Sequence, residues 1–282
     1  MNTAIVTDST CDLPHDLVKA NMIHVVPNIL IMNDQVVEDN ENFSRQDFYR
    51  LLPGMSSFPT TSTASIGTYQ ELYKRLFSEG CDQILSIHCS QALSGIFNAA
   101  TTAAASVSDQ VLVIDSKQIS LGLGFQVLEA VEALNEGLSM PAIVERLKSI
   151  NSRLKLVAML DTLEYVKRSG RVSWARASIG TLLNLKPFLE VVEGQVISLG
   201  EVRTRKRGIT QLLEMMRNPH PLKRFAILHT DAEEDAQRLL TLFSPDLPTT
   251  PLIVNVTTII GAHVGPNGLG FVALYQNESQ QR

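Results

Sequence analysis

The sequence predicts an α/β protein, with an N-terminal, mainly parallel, doubly wound sheet followed by a C-terminal α+β domain on a mixed sheet. Three observations carry this. Up to about residue 150, short apolar runs alternate with helical patterns, which is the grammar of right-handed βαβ units. After Ser152, the run Leu185–Val192, the turn pair Glu193-Gly194 and the run Gln195–Leu199 read as a β-hairpin, which requires antiparallel pairing. Several apolar runs also stop in small polar residues just before a helix, where an open α/β sheet forms its ligand crevice. The expected domains are 1–151 (α/β, with anion-binding loops) and 152–282 (α+β).

In chain order, Ala4–Val6 is a strand running into Thr7, Asp8, Ser9 and Thr10, and a helix follows from about Pro14 to Asn21. Asp8 and Ser9 either line a site or satisfy backbone donors in an Asx-type turn. Ile23–Ile31 is a second apolar strand, interrupted by Pro27, which sends part of it to an edge or a bend. Ser44 with Asp47 has the form of a capping box opening a helix over Phe48, Leu51 and Leu52. Phe58–Ser65 is a hydroxyl-dense loop leading into a helix over Ile66, Tyr69, Leu72, Tyr73 and Leu76. Ile84, Leu85 and Ile87 form a buried strand, and Ile96–Ala105 a helix with a small-residue face. Between them lie His88, Cys89, Ser90, Ser94 and Gly95. Val111–Ile114 is a strand ending in Asp115 and Ser116, followed by helices over Ile119–Asn135 and Pro141–Ser149; Gly122 and Gly124 permit close packing or a bend.

In the C-terminal half, Leu154–Leu160 is a strand and Thr162–Lys167 a helix stopped by Gly170. Beyond the hairpin, a helix opens near Arg203–Arg207 and runs through Leu212, Leu213 and Met216. Phe225–His229 is a strand, and the acidic Asp231, Glu233 and Glu234 suit the start of a helix over Ala236–Leu242. Ile253–Ile260 reads as a strand leading into the glycine-rich stretch Gly261–Pro266, and Phe271–Tyr275 as the last strand.

Composition excludes several function classes. A net charge of −5 argues against nucleic-acid binding, which calls for a basic excess. No apolar run reaches the roughly 18–20 residues of a membrane span, and the start MNTAIVTDST has no signal-peptide pattern, so the expected location is the cytoplasm. Cys11, Cys81 and Cys89 cannot form a complete disulfide set and fit a reducing compartment. No Cys/His spacing suggests zinc or another metal, and neither GxGxxG after a strand nor GxxxxGK[ST] occurs.

The candidate chemistry lies at the helix entrances. In the turn before Ile96, Ser94 either caps the helix or holds a ligand, and one place allows both. Unpaired first-turn N–H groups and the positive dipole end there would receive a carboxylate or phosphate oxygen. The hydroxyls of Phe58–Ser65 occupy a second such entrance, so donors from both could converge on one anion. Cys89, next to His88 and a helix start, is either a nucleophile of lowered pKa or a small apolar filler. Lys167, Arg168, Arg171, Arg176, Arg203, Arg205, Lys206 and Arg207 either recognise phosphate or an acidic partner or form a solvated face with internal salt bridges. His263 sits between glycines just past a strand, as a structural residue or one pointing into a cleft.

These signals match a family. IVTDSTCDLP, PTTSTAS, the LSG of residues 93–95, VIDS, LDTLEYVKRSGRVS, LNLKPFLEVVEGQV, VRTRKRG and GAHVGPNGLG occur in that order over essentially the whole chain. In them the chain resembles the DegV family of bacterial fatty-acid-binding proteins, whose members serve as the lipid-carrying subunit of fatty acid kinase. The resemblance implies two α/β domains with a long-chain fatty acid in a buried tunnel, completed by residues 152–282, its carboxylate held near the domain junction. By motif, the carboxylate binders would be Thr61, Ser94 and the Gly95 amide, with His263 close by. Arg171 and Arg203 match positions associated with engaging the kinase subunit, which phosphorylates the carboxylate to an acyl phosphate. The implied protein is a non-catalytic carrier with the fatty acid as ligand, no cofactor, and room for transient contact with a membrane surface. Cys89, Ile96 and Asn267 depart from the common pattern; the first two flank the anion site, where head-group hydrogen bonding is then expected to be thinner. The alternative is a hydrolase acting on an acyl ester or acyl phosphate, with Ser94 or Cys89 as nucleophile and His88 or His263 as base. Against it, LSG is not the GxSxG elbow and no carboxylate is evident to orient a histidine. A phosphate- or nucleotide-binding module would keep the basic set but lacks a fingerprint loop.

Overall fold

The computed structural model describes residues 2–171, 185–217, 220–244 and 249–277. The chain forms two compact units. The first comprises Met1–Phe43, Thr61–Ser152 and the hairpin tip Glu193–Gln195; the second comprises Ser44–Thr60, Arg153–Val192 and Val196–Arg282. Residues 44–60 thus group with the second unit, whereas a single cut after residue 151 leaves them in the first.

The N-terminal elements are β1 (Thr3–Asp8), α1 (His15–Ala20), β2 (His24–Val26), β3 (Ile29–Met32), β4 (Gln35–Glu38), α2 (Arg45–Leu51, in the second unit), β5 (Thr60–Ser62), α3 (Ile66–Ser78), β6 (Gln83–His88), α4 (Ile96–Val107), β7 (Val111–Asp115), α5 (Leu121–Asn135) and α6 (Met140–Asn151). Strands β2-β1-β6-β7 form a four-stranded sheet, in that order and wholly parallel. The apolar runs of its two middle strands, such as Val6, Ile84, Leu85 and Ile87, are fully buried, as a sheet covered on both faces requires. From β1 the chain goes out to β2 and later returns to β6 on the other side of β1. The strand order therefore reverses between β1 and β6, and their carboxyl ends flank the crevice where doubly wound sheets bind ligands. Pro27 divides the expected Ile23–Ile31 strand: β2 becomes the edge of the parallel sheet, and β3 starts a separate sheet of order β4-β3-β5. Two elements were not expected. β4 returns from β3 through Asn33 and Asp34, both at positive φ (49° and 60°), and β5 forms inside the hydroxyl-rich stretch read as a loop.

A buried polar chain ties β1 to β6. His88 Nδ1 lies 3.0 Å from Asp8 Oδ2, Ser86 Oγ 2.7 Å from His88 Nε2, and Tyr73 Oη 2.8 Å from Ser86 Oγ. Asp8 also accepts from the Thr10 N–H (3.0 Å) and hydroxyl (2.5 Å), Asn28 Nδ2 (3.3 Å) and the Cys89 N–H (3.1 Å). Asp8, Ser86, His88 and Tyr73 are all 0 % exposed. One assignment uses each proton once: Tyr73 donates to Ser86, Ser86 to His88, and His88 to Asp8. Burial pushes the Asp8 carboxyl up, but the bond and charge of His88, with the bonds from Thr10 and Cys89, outweigh it and hold the group below its ordinary 3.8.

The second unit contains α2 and β8 (Leu154–Met159), α7 (Glu164–Arg168), β9 (Lys186–Val192), β10 (Gln195–Val202), α8 (Arg205–Met216), β11 (Leu222–His229), α9 (Glu233–Phe243), β12 (Leu252–Asn255), α10 (Thr258–Val264) and β13 (Leu269–Tyr275). Its six-stranded sheet has the order β10-β9-β8-β13-β11-β12. β11 and β12 are parallel, whereas β13 is antiparallel to both β11 and β8, and β8 to β9, which makes the sheet mixed. Phe188, Phe225, Phe271, Leu212 and Leu239 pack its core, with the Phe225 and Phe271 rings stacked at 6.1 Å. The hairpin turns at Glu193 and Gly194, both at positive φ.

One expectation fails here. Ile253–Ile260 is not one strand: β12 ends at Asn255, Thr257 caps a new helix by accepting the Ile259 N–H, and His263 lies on that helix, α10. Seven β-branched residues from 253 to 260 suggest a strand, but packing outweighs their weak helix propensity. Gly261 lets α10 approach α2: a Cβ there would stand 2.4 Å from the Tyr49 hydroxyl, which donates to Val256 O at 2.9 Å. Gly265 ends the helix at φ 76°, with the Tyr165 ring where a Cβ would be. Among the described residues, no helix is long and apolar enough to cross a membrane.

The Asp8 network sets a test. A carboxyl depressed on folding gives stability that is complete above its unfolded value of 3.8 and lost as pH falls through the lower folded value. Asp8→Asn is expected to lower the unfolding free energy at pH 7 by about 2–4 kcal/mol and to flatten the loss of stability below pH 3.8, both read from urea titrations. An unchanged acid limb would rule out the carboxylate as its source.

Candidate functional site

The Cys89–Gly95 turn is held at both ends by backbone bonds. The Cys89 N–H is fixed on Asp8, the Ser90 N–H on Gln118 O (2.9 Å), and the Leu93 and Ser94 N–H groups both return to Ser90 O (3.0 and 3.1 Å). Ser90 Oγ donates to Gly194 O at 2.8 Å. The cap of α4 is Gly95 and no side chain caps it, so Ser94 is not spent as an N-cap. Ser94 is half-buried, and its hydroxyl bonds to no described residue. It stands with the Gly95 amide at the positive end of a 12-residue helix.

The other hydroxyl-rich entrance lies beside it. Thr63 is 3.8 Å from where a Gly95 Cβ would be, and Ser62, Thr63 and Ser65 share a groove of about 630 Å³ with Asn98 and Thr102 of α4. Within that stretch the roles divide: Ser65 caps α3 by accepting the Thr68 N–H at 3.0 Å, whereas Thr61 is half-buried on β5. Thr63 of the first loop thus approaches Gly95 of the second inside the first unit, while Thr61 and Ser94 do not line the groove.

The hydrolase candidates fare differently. A carboxylate does orient His88, contrary to expectation, since Asp8 and His88 end neighbouring parallel strands. Ser86, His88 and Asp8 even have the order of contacts of a nucleophile–base–acid triad. Yet all three are 0 % exposed and Ser86 is also engaged by Tyr73, so no substrate can reach them. Cys89 does not have the lowered pKa its neighbours suggested. Burial, then the Asp8 charge, push its thiol well above the ordinary value, so it is a buried filler and no nucleophile.

His263, Arg171 and Arg203 belong to the second unit. His263 is 9 % exposed, and burial, with the Arg171 charge next, lowers its pKa to about 4. The imidazole is therefore uncharged at neutral pH and acts through hydrogen bonding. Arg171 is half-buried and donates to Ser169 O at 3.3 Å. Arg203 is exposed beside Arg207 in a cleft of about 460 Å³. The basic set does not act as one patch: Arg168 pairs with Glu164, and Arg205 with Asp235. Arg176, and the Val172 and Ser173 of SGRVS, lie outside the described residues.

The buried network is what residue-by-residue reading missed. Asp8 and His88 each end a strand of a predicted parallel sheet, and placing those strands side by side would have paired them.

Comparison with known proteins agrees with this architecture. The model of the family described as "Uncharacterised protein, DegV family" matches residues 2–276. A DegV domain-containing protein of Staphylococcus aureus is 33% identical over 274 residues, covering 96% of this chain and 98% of that protein. Protein DegV of Bacillus subtilis is 31% identical over 277 residues, with coverage of 96% and 98%. Among solved structures, a DegV family protein of Thermus thermophilus described by its fatty acid binding superposes with a TM-score of 0.91 at 33% identity, covering 98% of this chain and all of that one. DegV of Bacillus subtilis, described as a fatty acid binding protein, gives 0.87 at 30% identity over 98% of this chain and 100% of its own. The chain belongs to the DegV family.

Proposed function

We propose that this protein binds a long-chain fatty acid in a buried tunnel and presents its carboxylate to a kinase subunit for phosphorylation to an acyl phosphate. Its whole-length likeness to solved fatty-acid-binding relatives carries the reading. The carboxylate is received by Thr61, the Ser94 hydroxyl and the Gly95 amide, with His263 as a neutral hydrogen-bonding partner. Hydroxyl and amide donors at a helix N-terminus suit a carboxylate, and an unpartnered buried one is costly. The acyl tail supplies most of the affinity, at roughly 0.8 kcal/mol per buried CH₂, while the few polar groups set its orientation. Arg171 and Arg203 dock the kinase; Arg203 is exposed and forms no salt bridge with a described residue, which leaves its guanidinium available to an anionic surface. The carrier is not itself catalytic. It works in the cytoplasm without a cofactor, and transient contact with a membrane surface would let it collect and deliver lipid.

Native mass spectrometry of the purified protein is expected to show an adduct of fatty-acid mass, and Ser94→Ala to weaken fatty-acid affinity about 10–150-fold, the worth of one hydrogen bond to a charged group. A protein that takes up no fatty acid overturns the reading. If Ser94 were a nucleophile instead, the variant would keep its lipid and lose ester turnover.

Arg203→Glu is expected to leave lipid retention intact while abolishing phosphorylation of the bound lipid by added fatty acid kinase. An unchanged rate removes Arg203 from the docking surface.

His263 sets a separate pH window. Its folded pKa of about 4 lies below the ordinary 6.5, so the folded state binds fewer protons, and stability falls as pH drops from 6.5 through about 4. The full effect is about 3 kcal/mol. Urea midpoints across that range should flatten in His263→Gln, and an identical slope in the variant would refute the assignment.

A further inference from the structure

A different cleft, of about 720 Å³, lies wholly in the second unit at the carboxyl ends of the parallel strands β11 and β12, beside the first turn of α9. Asp231, Glu233 and Glu234 stand exposed in its wall and form no salt bridge with a described residue, whereas Asp235 is engaged by Arg205, Nε to Oδ2, at 2.5 Å. Three uncompensated carboxylates outweigh the half charge of the helix end, so the cleft repels anions and attracts cations.

A second observation points to a ligand. His229, at the end of β11, is 5 % exposed and forms part of the same wall. Its Nδ1 accepts the Ala232 N–H at 3.2 Å, which places the proton of the neutral ring on Nε2. That Nε2–H has no acceptor among the described residues and opens onto the cleft, where a ligand can reach it. Nearby, Asn255 turns Oδ1 to the Asp231 N–H at 3.1 Å, which leaves its amide NH₂ as another donor. An occupant that engages the whole wall brings a positive group for the carboxylates and an acceptor for His229. A metal ion brings no acceptor, and no group of three or more His, Cys, Asp or Glu among the described residues is placed to hold one.

We propose that this cleft binds a basic side chain, arginine or lysine, of a partner polypeptide, with the cation among Asp231, Glu233 and Glu234 and a backbone carbonyl of the same segment accepting from His229. A peptide carries both groups within one residue. The exposed carboxylates lie where another polypeptide can reach them, and the chemistry is opposite to that of the Arg203 surface, which suits an anionic partner.

The test is an NMR titration of the full-length protein with N-acetyl-arginine methylamide, its citrulline counterpart (same carbonyls, no charge) and free arginine. The arginine amide is expected to shift the His229 ring signals saturably, and to bind at least about tenfold more tightly than the citrulline amide or free arginine. The double variant D231N/E234Q should bind it at least about tenfold more weakly, with its fold and its co-purified lipid unchanged. The proposal is overturned by any of four results: no saturable shift, equal binding of the citrulline amide, undiminished binding by the double variant, or tighter binding of free arginine, which would mark a metabolite site. The intact lipid content of the variant separates these outcomes from a failure of the fatty-acid reading.

Discussion

One fully buried carboxylate organises the first unit. Asp8 sits where β1 ends and draws donors from Thr10 in its own turn, from Asn28 after β2, from His88 at the end of β6 and from the Cys89 backbone. A charge in the interior of a sheet is tolerable only when bonded this fully, so the network is either complete or strongly destabilising. Its completeness fixes more than stability. Because Asp8 holds the Cys89 N–H, the turn leaving β6 starts from a defined point, and the bonds from Leu93 and Ser94 back to Ser90 carry that definition to the first turn of α4. Ser94 touches none of the ionisable groups, yet its place is set by them. The array has the order of contacts of a triad, but its members are fully buried, and the imidazole is held for architecture.

The second unit solves a related problem with glycine. α10 has seven residues, many of them β-branched, and such a helix has little stability of its own. It persists because Gly261 admits the Tyr49 ring and Gly265 turns the chain at positive φ beside Tyr165. A side chain at either position would displace an aromatic ring. His263 is thereby buried on a helix held by packing, and both the burial and the nearby Arg171 charge follow from that placement. The glycines of GAHVGP thus act on the histidine through the geometry of the helix that carries it.

Much of this was legible in the residues. The βαβ alternation, the hairpin at Glu193-Gly194, the Ser44 cap and the helix entrances at Ser65 and Gly95 rest on local signals such as period, turn chemistry and capping, and local signals survive folding. What was missed depends on contacts distant in sequence. The pairing of Asp8 with His88 spans 80 positions, and the strand-like run before Gly261 turns helical because of Tyr49, more than 200 residues earlier. The hydroxyl-rich stretch became β5 because β3 offered it an edge, which no propensity within Thr60–Ser62 announces.

The run Arg203-Thr204-Arg205-Lys206-Arg207 shows the same limit in electrostatic form. As a sequence it is one basic block. In the fold, Thr204 caps α8, so Arg203 stands before the helix, while Arg205 and Arg207, two apart in its first turn, point about 200° away from each other. Arg205 accordingly turns to Asp235 and the Asn267 carbonyl, while Arg203 and Arg207 line a different cleft. The pairing of Arg205 removes one positive charge and one negative charge together, so Asp231, Glu233 and Glu234 keep their surroundings acidic although the four basic residues of the block belong to the same unit. Helical periodicity thus separates a cation-attracting cleft from an anion-attracting one within a single unit, and composition alone, which averages the two into a net charge of −5, conceals both.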